Sequence, residues 1–162
     1  DVITSSNRLN APTRVCHCTP PQIQRYASRI SGPLLDRIDI QLRISCVTAV
    51  RLRIDADGSA NSSALARERV SRARDSTSAR LAGTPWRLNS QVPGAWLRGP
   101  KARLPISATA SIDRALERGG ITMRGYDRVL RLGWTLADLD GATAPSADHI
   151  GRALYLRKAM TT

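Results

Sequence analysis

Apolar residues with helical spacing in the last third of the sequence restrict the fold class more than any other feature. Four of them recur every three or four residues, at Val129, Leu132, Leu136 and Leu139. This spacing predicts a helix with one buried face. Capping residues and glycines divide the region into three helices, expected over residues 107–118, 122–139 and 146–158. Only 4% of the residues are aromatic and none is Phe, so the core must consist of small aliphatic side chains, which suits packed helices.

The first part of the chain has a different pattern. Pro20-Pro21 can begin a helix, and Ser-Gly-Pro at residues 31–33 ends it. Residues 38–44 then alternate apolar and polar side chains, which predicts a strand. An Arg-rich helix is expected over residues 62–82, with Leu65, Val70 and Ala73 as a narrow apolar stripe. We therefore predict an α/β piece (helix-turn-strand) over residues 1–50, a linker over 51–60 and a helical bundle over 61–162.

A formal net charge of +12, carried almost entirely by arginine, favours a polyanionic partner because phosphate contacts release counterions. A GC-rich genome would account for Arg in place of Lys, but not for the excess of positive charge. No apolar run approaches the ~18 residues of a membrane span, and the N-terminus has no signal-peptide pattern. We expect a cytoplasmic protein without a membrane partner.

Three cysteines, Cys16, Cys18 and Cys46, do not suggest a disulfide framework, because the count is odd. Cys16-His17-Cys18 has the appearance of half a metal site. A structural zinc site needs four ligands, and the other candidates, Cys46 and His149, are far away in sequence. We predict no metal site, and we interpret His149, near the start of the last helix, as a capping or packing residue.

Several motifs together carry a family resemblance. Residues 25–39 read RYASRISGPLLDRID, residues 16–20 read CHCTP, and residues 123–131 read MRGYDRVLR, followed by TLADL. These motifs closely resemble the magnesium-chelatase subunit I-like AAA+ ATPases, and in particular their ComM/YifB branch. The resemblance extends over residues 16–158. Two departures are that residues 1–15 lack the family's Asn-Pro-Cys-Pro-Cys-Gly motif and that Trp134 stands where the family usually has Arg.

The resemblance implies a fold: an α/β remnant of an AAA+ core followed by an all-α lid bundle. It also implies roles for particular residues. Arg37 would be an arginine finger that reaches a nucleotide held by a neighbouring subunit, and Arg124 would be the sensor 2 arginine. The alternative for Arg37 is a surface arginine paired with a nearby aspartate. Weaker candidates are Arg29, Asp36 and Asp39 at a subunit interface, and Arg67, Arg69, Arg72 and Arg74 as DNA contacts.

The implied function is that of an ATP- and Mg²⁺-dependent motor subunit. Copies of the chain would form a ring, a hexamer, and would drive DNA helicase or branch-migration activity in recombination during natural transformation. A magnesium-chelatase-type motor shares the same parts. The alternative is a non-enzymatic, Arg-rich helical module that binds nucleic acid or a partner. The 162 residues contain no Gly-x-x-x-x-Gly-Lys-Ser/Thr loop, so we expect a fragment that is inactive as an ATPase by itself.

Overall fold

A computed structural model of the chain describes residues 18–35, 37–42 and 62–158. These residues are mostly helical, and no strand occurs among them. The helices are α1 (Pro20–Ala27), α2 (Gly32–Leu35), α3 (Ser63–Arg80), α4 (Gly94–Leu97), α5 (Ile106–Glu117), α6 (Met123–Leu139) and α7 (Ala147–Lys158), with a 3₁₀ turn at Asn89–Gln91. The helices that the sequence predicts are confirmed, with bounds within two residues of those expected.

Helix α6 lies at the centre of a helical bundle. It packs against α3, α4, α5, α7 and the 3₁₀ turn. Its predicted apolar stripe is buried at Val129, Leu132 and Leu136, and it meets Ile112 of α5 and Ile150 of α7, both fully buried. The core is therefore mostly aliphatic, as expected, but it also contains two buried aromatic residues, Tyr126 and Trp134, and residues from the segments that precede α5.

Helices α5 and α6 end at glycines in the left-handed conformation. Gly119 has φ 66° and Gly141 has φ 71°, a region that residues with a Cβ avoid. In each case the next residue returns a hydrogen bond to the helix, from Gly120 N–H to Ala115 O at 2.8 Å and from Ala142 N–H to Ala137 O at 2.9 Å. This pattern gives carbonyls of the last helical turn a hydrogen-bond donor and turns the chain sharply towards the next element.

Gly133 allows α6 and α7 to approach closely. A Cβ at this position would lie 2.5 Å from Cδ1 of Ile150, too close for van der Waals contact. Ile150 is fully buried and cannot move without displacing its neighbours in a close-packed interior. The contact fixes the distance between the two helices that carry most of the polar residues discussed below.

The predicted strand over residues 38–44 is not found in its described part, residues 38–42. The amide of Gln41 donates to the carbonyl of Leu156 near the end of α7, at 2.9 Å. A strand would need such groups to pair with a neighbouring strand, and here a helix terminus takes that place. Residues 43–44, the linker and the proposed domain boundary lie outside the described residues.

The predicted apolar stripe of α3 is also wrong for two of its three residues. Leu65 is 58% exposed and Val70 is 43% exposed, and only Ala73 is buried. The buried side of α3 consists of Ala73 and Thr77. Because these two small residues bury little apolar area, polar contacts must contribute much of what holds α3 to the bundle.

Candidate functional site

The turn that carries Arg37 is defined by local hydrogen bonds. Ser31 O accepts from the amide of Leu34 at 3.0 Å, and Leu34 O accepts from the amide of Arg37 at 2.9 Å. The side chain of Arg37 is exposed, and its Nη1 donates to Pro33 O at 3.2 Å. No carboxylate in the described part of the chain pairs with this guanidinium. The charge of Arg37 is therefore available at the surface of the protein.

The segment that follows Arg37 is attached to α6 and α7 by two arginines. Arg128 of α6 donates from Nη1 to the carbonyl of Arg37 at 2.6 Å and also to the carboxylate of Asp39. Arg157 of α7 donates from Nη1 to the carbonyl of Ile38 at 3.1 Å. The bond from Gln41 to α7 completes this attachment. Asp39 thus pairs with Arg128 and not with the guanidinium of Arg37, so the alternative in which Asp39 engages Arg37 is wrong.

Arg124, Arg128 and Arg131 have the spacing of one helix face, but the structure gives them different environments. Arg128 has a side chain only 18% exposed. Arg131 donates from Nε to the carbonyl of Val92 at 2.8 Å. Burial, together with the nearby charge of Arg128, lowers the pKa of Arg131 from its ordinary value. Both side chains therefore connect α6 to other segments of the chain.

Arg124 differs from the other two because it is exposed and makes no hydrogen bond or ion pair with the residues that the structure describes. It is the second residue of α6. Thr122 precedes the helix and accepts from the amide of Gly125 at 3.0 Å, which caps the helix as predicted. The positive end of the helix dipole and the free guanidinium lie in the same turn, an arrangement that favours anions.

The other interface candidates are less informative. Arg29 is exposed, just after α1. Asp36 lies outside the described residues. Their proposed roles stay predictions.

The arginines of α3 fall into two groups. Arg69 donates from Nε to Leu139 O at 3.2 Å and from Nη2 to Asp140 at 2.9 Å, so it attaches α3 to the end of α6. Arg72 makes only a long ion pair of 3.9 Å with Glu68. Arg67 and Arg74 are exposed without a polar partner in the described ranges. Of the four predicted DNA contacts, three thus remain available to a polyanion, and Arg69 is engaged within the bundle.

A buried carboxylate at the end of α6 was not predicted. Asp138, with a side chain 1% exposed, accepts hydrogen bonds from Nη1 and Nη2 of Arg80, from the hydroxyl of Thr77 at 2.6 Å and from the side-chain amide of Asn89 at 2.9 Å. Burial acts to raise the pKa of Asp138, but the hydrogen bonds from Arg80, Thr77 and Asn89 outweigh it and hold the pKa below the usual 3.8. The sequence did contain a signal, because a carboxylate in the last turn of a helix is disfavoured by the helix dipole and implies a cationic partner.

Trp134, which departs from the family pattern, belongs to the same region. Its ring is buried, and the guanidinium carbon of Arg80 lies 4.2 Å from the ring centroid. This distance is that of a cation–π contact. Arg80 is therefore held between the ring of Trp134 and the carboxylate of Asp138, and its charge is neutralised inside the bundle.

A second polar cluster surrounds Asp140, just after α6. Its carboxylate accepts from Arg69 and, at 2.7 Å, from Arg152, and the hydrogen bond from Arg152 is the main reason that its pKa is lowered. His149 Nε2 lies 3.4 Å from the same carboxylate. Nδ1 of His149 accepts from the amide of Ser146 at 3.0 Å. This bond caps α7 and confirms His149 as a capping residue.

An open groove of about 220 Å³ lies between α4, α5 and α6. Inside it, Asp113 accepts from the hydroxyls of Tyr126 at 2.8 Å and Thr109 at 2.7 Å. Burial, followed by the carboxylate of Asp113, raises the pKa of Tyr126 to about 12. The groove includes neither Arg37 nor Arg124, so these two arginines project from surfaces outside it.

Metal ligands and membrane spans can be assessed only in the described ranges. There, no three His, Cys, Asp or Glu side chains are grouped as a metal site would require, and Cys16 and Cys46 lie outside these ranges. None of the described helices combines the length and the apolar character needed to cross a membrane.

Comparison with known proteins identifies the family. Residues 60–157 match the family described as "Magnesium chelatase, subunit ChlI C-terminal", and residues 3–52 match "Magnesium chelatase, subunit ChlI". An uncharacterised protein of Mycobacterium tuberculosis is 38% identical over 145 residues, which are 88% of this chain and 28% of that protein.

Two further relatives are the competence protein ComM of Haemophilus influenzae, 30% identical over 139 residues, and the uncharacterised protein YifB of Escherichia coli, 31% identical over 145 residues. Each match covers 86% of this chain and 26% of the relative. The chain thus spans about a quarter of the length of the curated relatives that it matches. On these matches, which extend over both parts of the sequence, the chain belongs to the magnesium chelatase subunit ChlI family of AAA+ proteins, with ComM and YifB among its relatives.

Proposed function

We propose that this chain is the C-terminal, arginine-bearing part of an AAA+ motor subunit that hydrolyses ATP at the boundaries between subunits of a ring. The observation that carries the proposal is the contrast between the arginines. Arg37 and Arg124 present guanidinium groups without an ion-pair partner in the described residues, whereas Arg80, Arg128 and Arg131 are engaged within the fold.

ATP hydrolysis develops negative charge that Arg37 and Arg124 could stabilise. Water attacks the γ-phosphorus, ADP leaves, and negative charge spreads over the γ-phosphoryl oxygens and the leaving oxygen in the transition state. A fixed, permanently charged fork of N–H donors stabilises that charge. In this proposal Arg37 supplies the fork to the nucleotide of the neighbouring subunit, Arg124 contacts nucleotide phosphates as sensor 2, and Mg²⁺ arrives with ATP as part of the substrate.

The relationship to ComM favours DNA as the substrate on which the motor acts. We propose that a ring of such subunits, a hexamer, moves along DNA as a helicase or branch-migration enzyme in natural transformation. The net charge of +12 and the exposed side chains of Arg67 and Arg74 support a polyanionic partner.

A chimaera tests the motor proposal. This chain replaces the homologous quarter of the 38%-identical mycobacterial relative, which supplies the remaining three quarters of the subunit. Arg37→Ala should lower kcat for ATP by roughly 10³-fold or more, the magnitude associated with arginine fingers, with little change in KM. Arg118→Ala is the matched control, because Arg118 is exposed and its side chain makes no hydrogen bond or ion pair in the described residues. Hydrolysis by Arg37→Ala at the rate of the unmodified chimaera would refute the assignment.

A mixing experiment tests whether Arg37 acts across the subunit boundary. Subunits with Arg37→Ala keep their own nucleotide site, and subunits with a disabled nucleotide loop keep their finger. Mixed rings should therefore recover part of the lost rate. If mixing restores no activity, Arg37 does not act on a neighbour.

A binding module without enzymatic activity is the second candidate, favoured by the exposed arginines of α3. It predicts that the 162-residue chain binds DNA by itself, with an affinity that falls as salt rises and with a salt dependence that weakens in Arg67→Ala/Arg74→Ala, because each lost phosphate contact reduces the slope by about one. Strong binding by the isolated chain, combined with an Arg37→Ala chimaera of unchanged activity, would favour the module over the motor.

A further inference from the structure

The turn that bears Arg37 is attached to the bundle by main-chain atoms. Arg128 Nη1 bonds the carbonyl of Arg37 at 2.6 Å, Arg157 Nη1 bonds the carbonyl of Ile38 at 3.1 Å, and the amide of Gln41 bonds the carbonyl of Leu156 at 2.9 Å. None of these bonds uses the guanidinium of Arg37. The main-chain atoms hold the turn in place, and the guanidinium of Arg37 remains available to interact with a ligand.

Arg128 is the centre of this attachment. One nitrogen, Nη1, donates both to the carbonyl of Arg37 and to the carboxylate of Asp39. Its Nε is buried and has no hydrogen-bond partner among the described atoms. An unpaired buried donor is unfavourable, yet the side chain adopts an orientation that holds the turn through Nη1 and leaves Nε without a hydrogen bond.

We propose that Arg128 is a positioning residue that fixes the Arg37 turn to α6, so that a movement of α6 displaces the arginine finger. This inference rests on the proposed function of Arg37. Arg124 stands four residues before Arg128, about one helical turn away on the same helix. Because a helix transmits displacement over one turn with little deformation, a change in contact at Arg124 moves the main-chain oxygen of Arg37 along with α6.

Hydrogen exchange of the 162-residue chain tests the attachment without nucleotide. In Arg128→Ala, the amide of Gln41, which donates to the carbonyl of Leu156, should exchange about tenfold to a hundredfold faster, as expected when a charge-assisted bond and an ion pair are lost together. Protection in α5, α6 and α7 should persist. Arg118→Ala should leave the exchange of residues 37–42 unchanged. If Arg128→Ala also leaves it unchanged, the attachment is refuted.

Asp39→Asn provides a second variant if Arg128→Ala unfolds the bundle. It alters a partner that lies outside α6 and is 56% exposed, so the helices should remain intact. A faster exchange confined to residues 37–42 supports the proposal, and wild-type exchange in this variant contradicts it. Arg128→Lys should restore part of the protection, because an ammonium can donate to both oxygens that Nη1 now serves.

The kcat and KM of the chimaera then distinguish a positioning role of Arg128 from a purely structural one. Arg128→Ala should lower kcat at least tenfold with KM for ATP unchanged, and Arg128→Lys should recover part of kcat. An unchanged kcat in Arg128→Ala would overturn the positioning role. The two proposals fail separately: loss of the attachment appears in exchange rates without nucleotide, whereas failure of the finger assignment appears as full activity in Arg37→Ala.

Discussion

Replacing Asp138 by Ala should be among the most destabilising single changes in the bundle. The carboxylate is almost completely buried and accepts from three side chains on α3 and the 3₁₀ turn. Two of the three donors have a second acceptor: Thr77 can donate to Ala73 O at 3.1 Å, and Asn89 can donate to the hydroxyl of Thr135 at 3.1 Å. The change therefore acts mainly on Arg80, which loses its one counter-ion among the described residues.

The size of the effect follows from the burial of this pair. Removing one partner of a buried ion pair costs about 3–5 kcal/mol. The lower end applies here, because Arg80 keeps 19% of its side chain exposed and retains Asn89 and the face of Trp134. We expect a loss of about 3 kcal/mol, which for a bundle of this size corresponds to a decrease of roughly 15 °C in Tm.

Urea denaturation of the chain, followed by circular dichroism, measures the loss. Asp148→Asn is the matched control, because this carboxylate is 77% exposed and its nearest cation, on Arg152, is 3.7 Å away; it should change stability by less than ~0.5 kcal/mol. Adding Arg80→Met to Asp138→Ala should recover part of the loss, since it removes the stranded charge. A cost below ~1 kcal/mol for Asp138→Ala would refute the reasoning.

The same carboxylate predicts a pH dependence. The pKa of Asp138 is lower in the folded protein than in the unfolded chain, so its contribution is complete above the unfolded pKa of about 3.9 and is lost as the pH falls through the folded value. The difference in stability between the wild type and Asp138→Ala should therefore be constant near neutral pH and shrink below about pH 4. A difference that stays constant to pH 2 would contradict this sign.

Two further changes test the packing and the capping of α7 by urea denaturation. Gly133→Ala should cost about 1–3 kcal/mol because the new methyl group overlaps Ile150, whereas Gly151→Ala, which meets nothing within 4 Å, should be neutral or stabilising; equal effects would show that the helices can separate freely. Ser146→Ala removes the hydroxyl that accepts from the amide of His149 and should cost about 1 kcal/mol, more than Ser107→Ala on the exposed side of α5. Equal costs would argue against the cap.

Helix positions could be predicted because the sequence marks where each helix begins and ends. Thr122 and Ser146 stand before their helices, and Gly119 and Gly141 follow theirs in the backbone conformation that favours glycine. These signals are local, and their physical causes do not depend on the rest of the fold. The roles predicted for Arg37 and Arg124 came from the family resemblance, because periodicity and spacing provide no evidence for them.

The polar contacts inside the bundle could not be predicted, because they depend on residues far apart in the sequence. Arginines are frequent throughout the chain, and a long arginine side chain can reach solvent or a partner from almost any helix position. Nothing near Arg69, Arg80 or Arg128 in the sequence distinguishes them from Arg67 and Arg74, which remain exposed. Their partners, at Asp140, Asp138 and Asp39, lie 58 to 89 residues away, so only the folded arrangement shows which arginines are used.

The strand prediction failed because the alternating apolar residues at positions 40 and 42 are not covered by a sheet or a core: Ile40 is 44% exposed and Leu42 is 60% exposed. Residues 38–42 meet two helices, and their main-chain groups pair with Arg157 and Leu156. Hydropathy cannot distinguish this from pairing within a sheet.

Attachment of the Arg37 turn through main-chain atoms has an evolutionary consequence. Every residue has a carbonyl and every residue except proline has an amide N–H, so the side chains of Ile40 and Gln41 can change over generations without loss of these bonds. Selection would act instead on the distant arginines that supply the donors. Homologous chains should therefore vary at the positions of Ile40 and Gln41 while they preserve Asp39, Arg128 and Arg157, and proline should be rare at the position of Gln41.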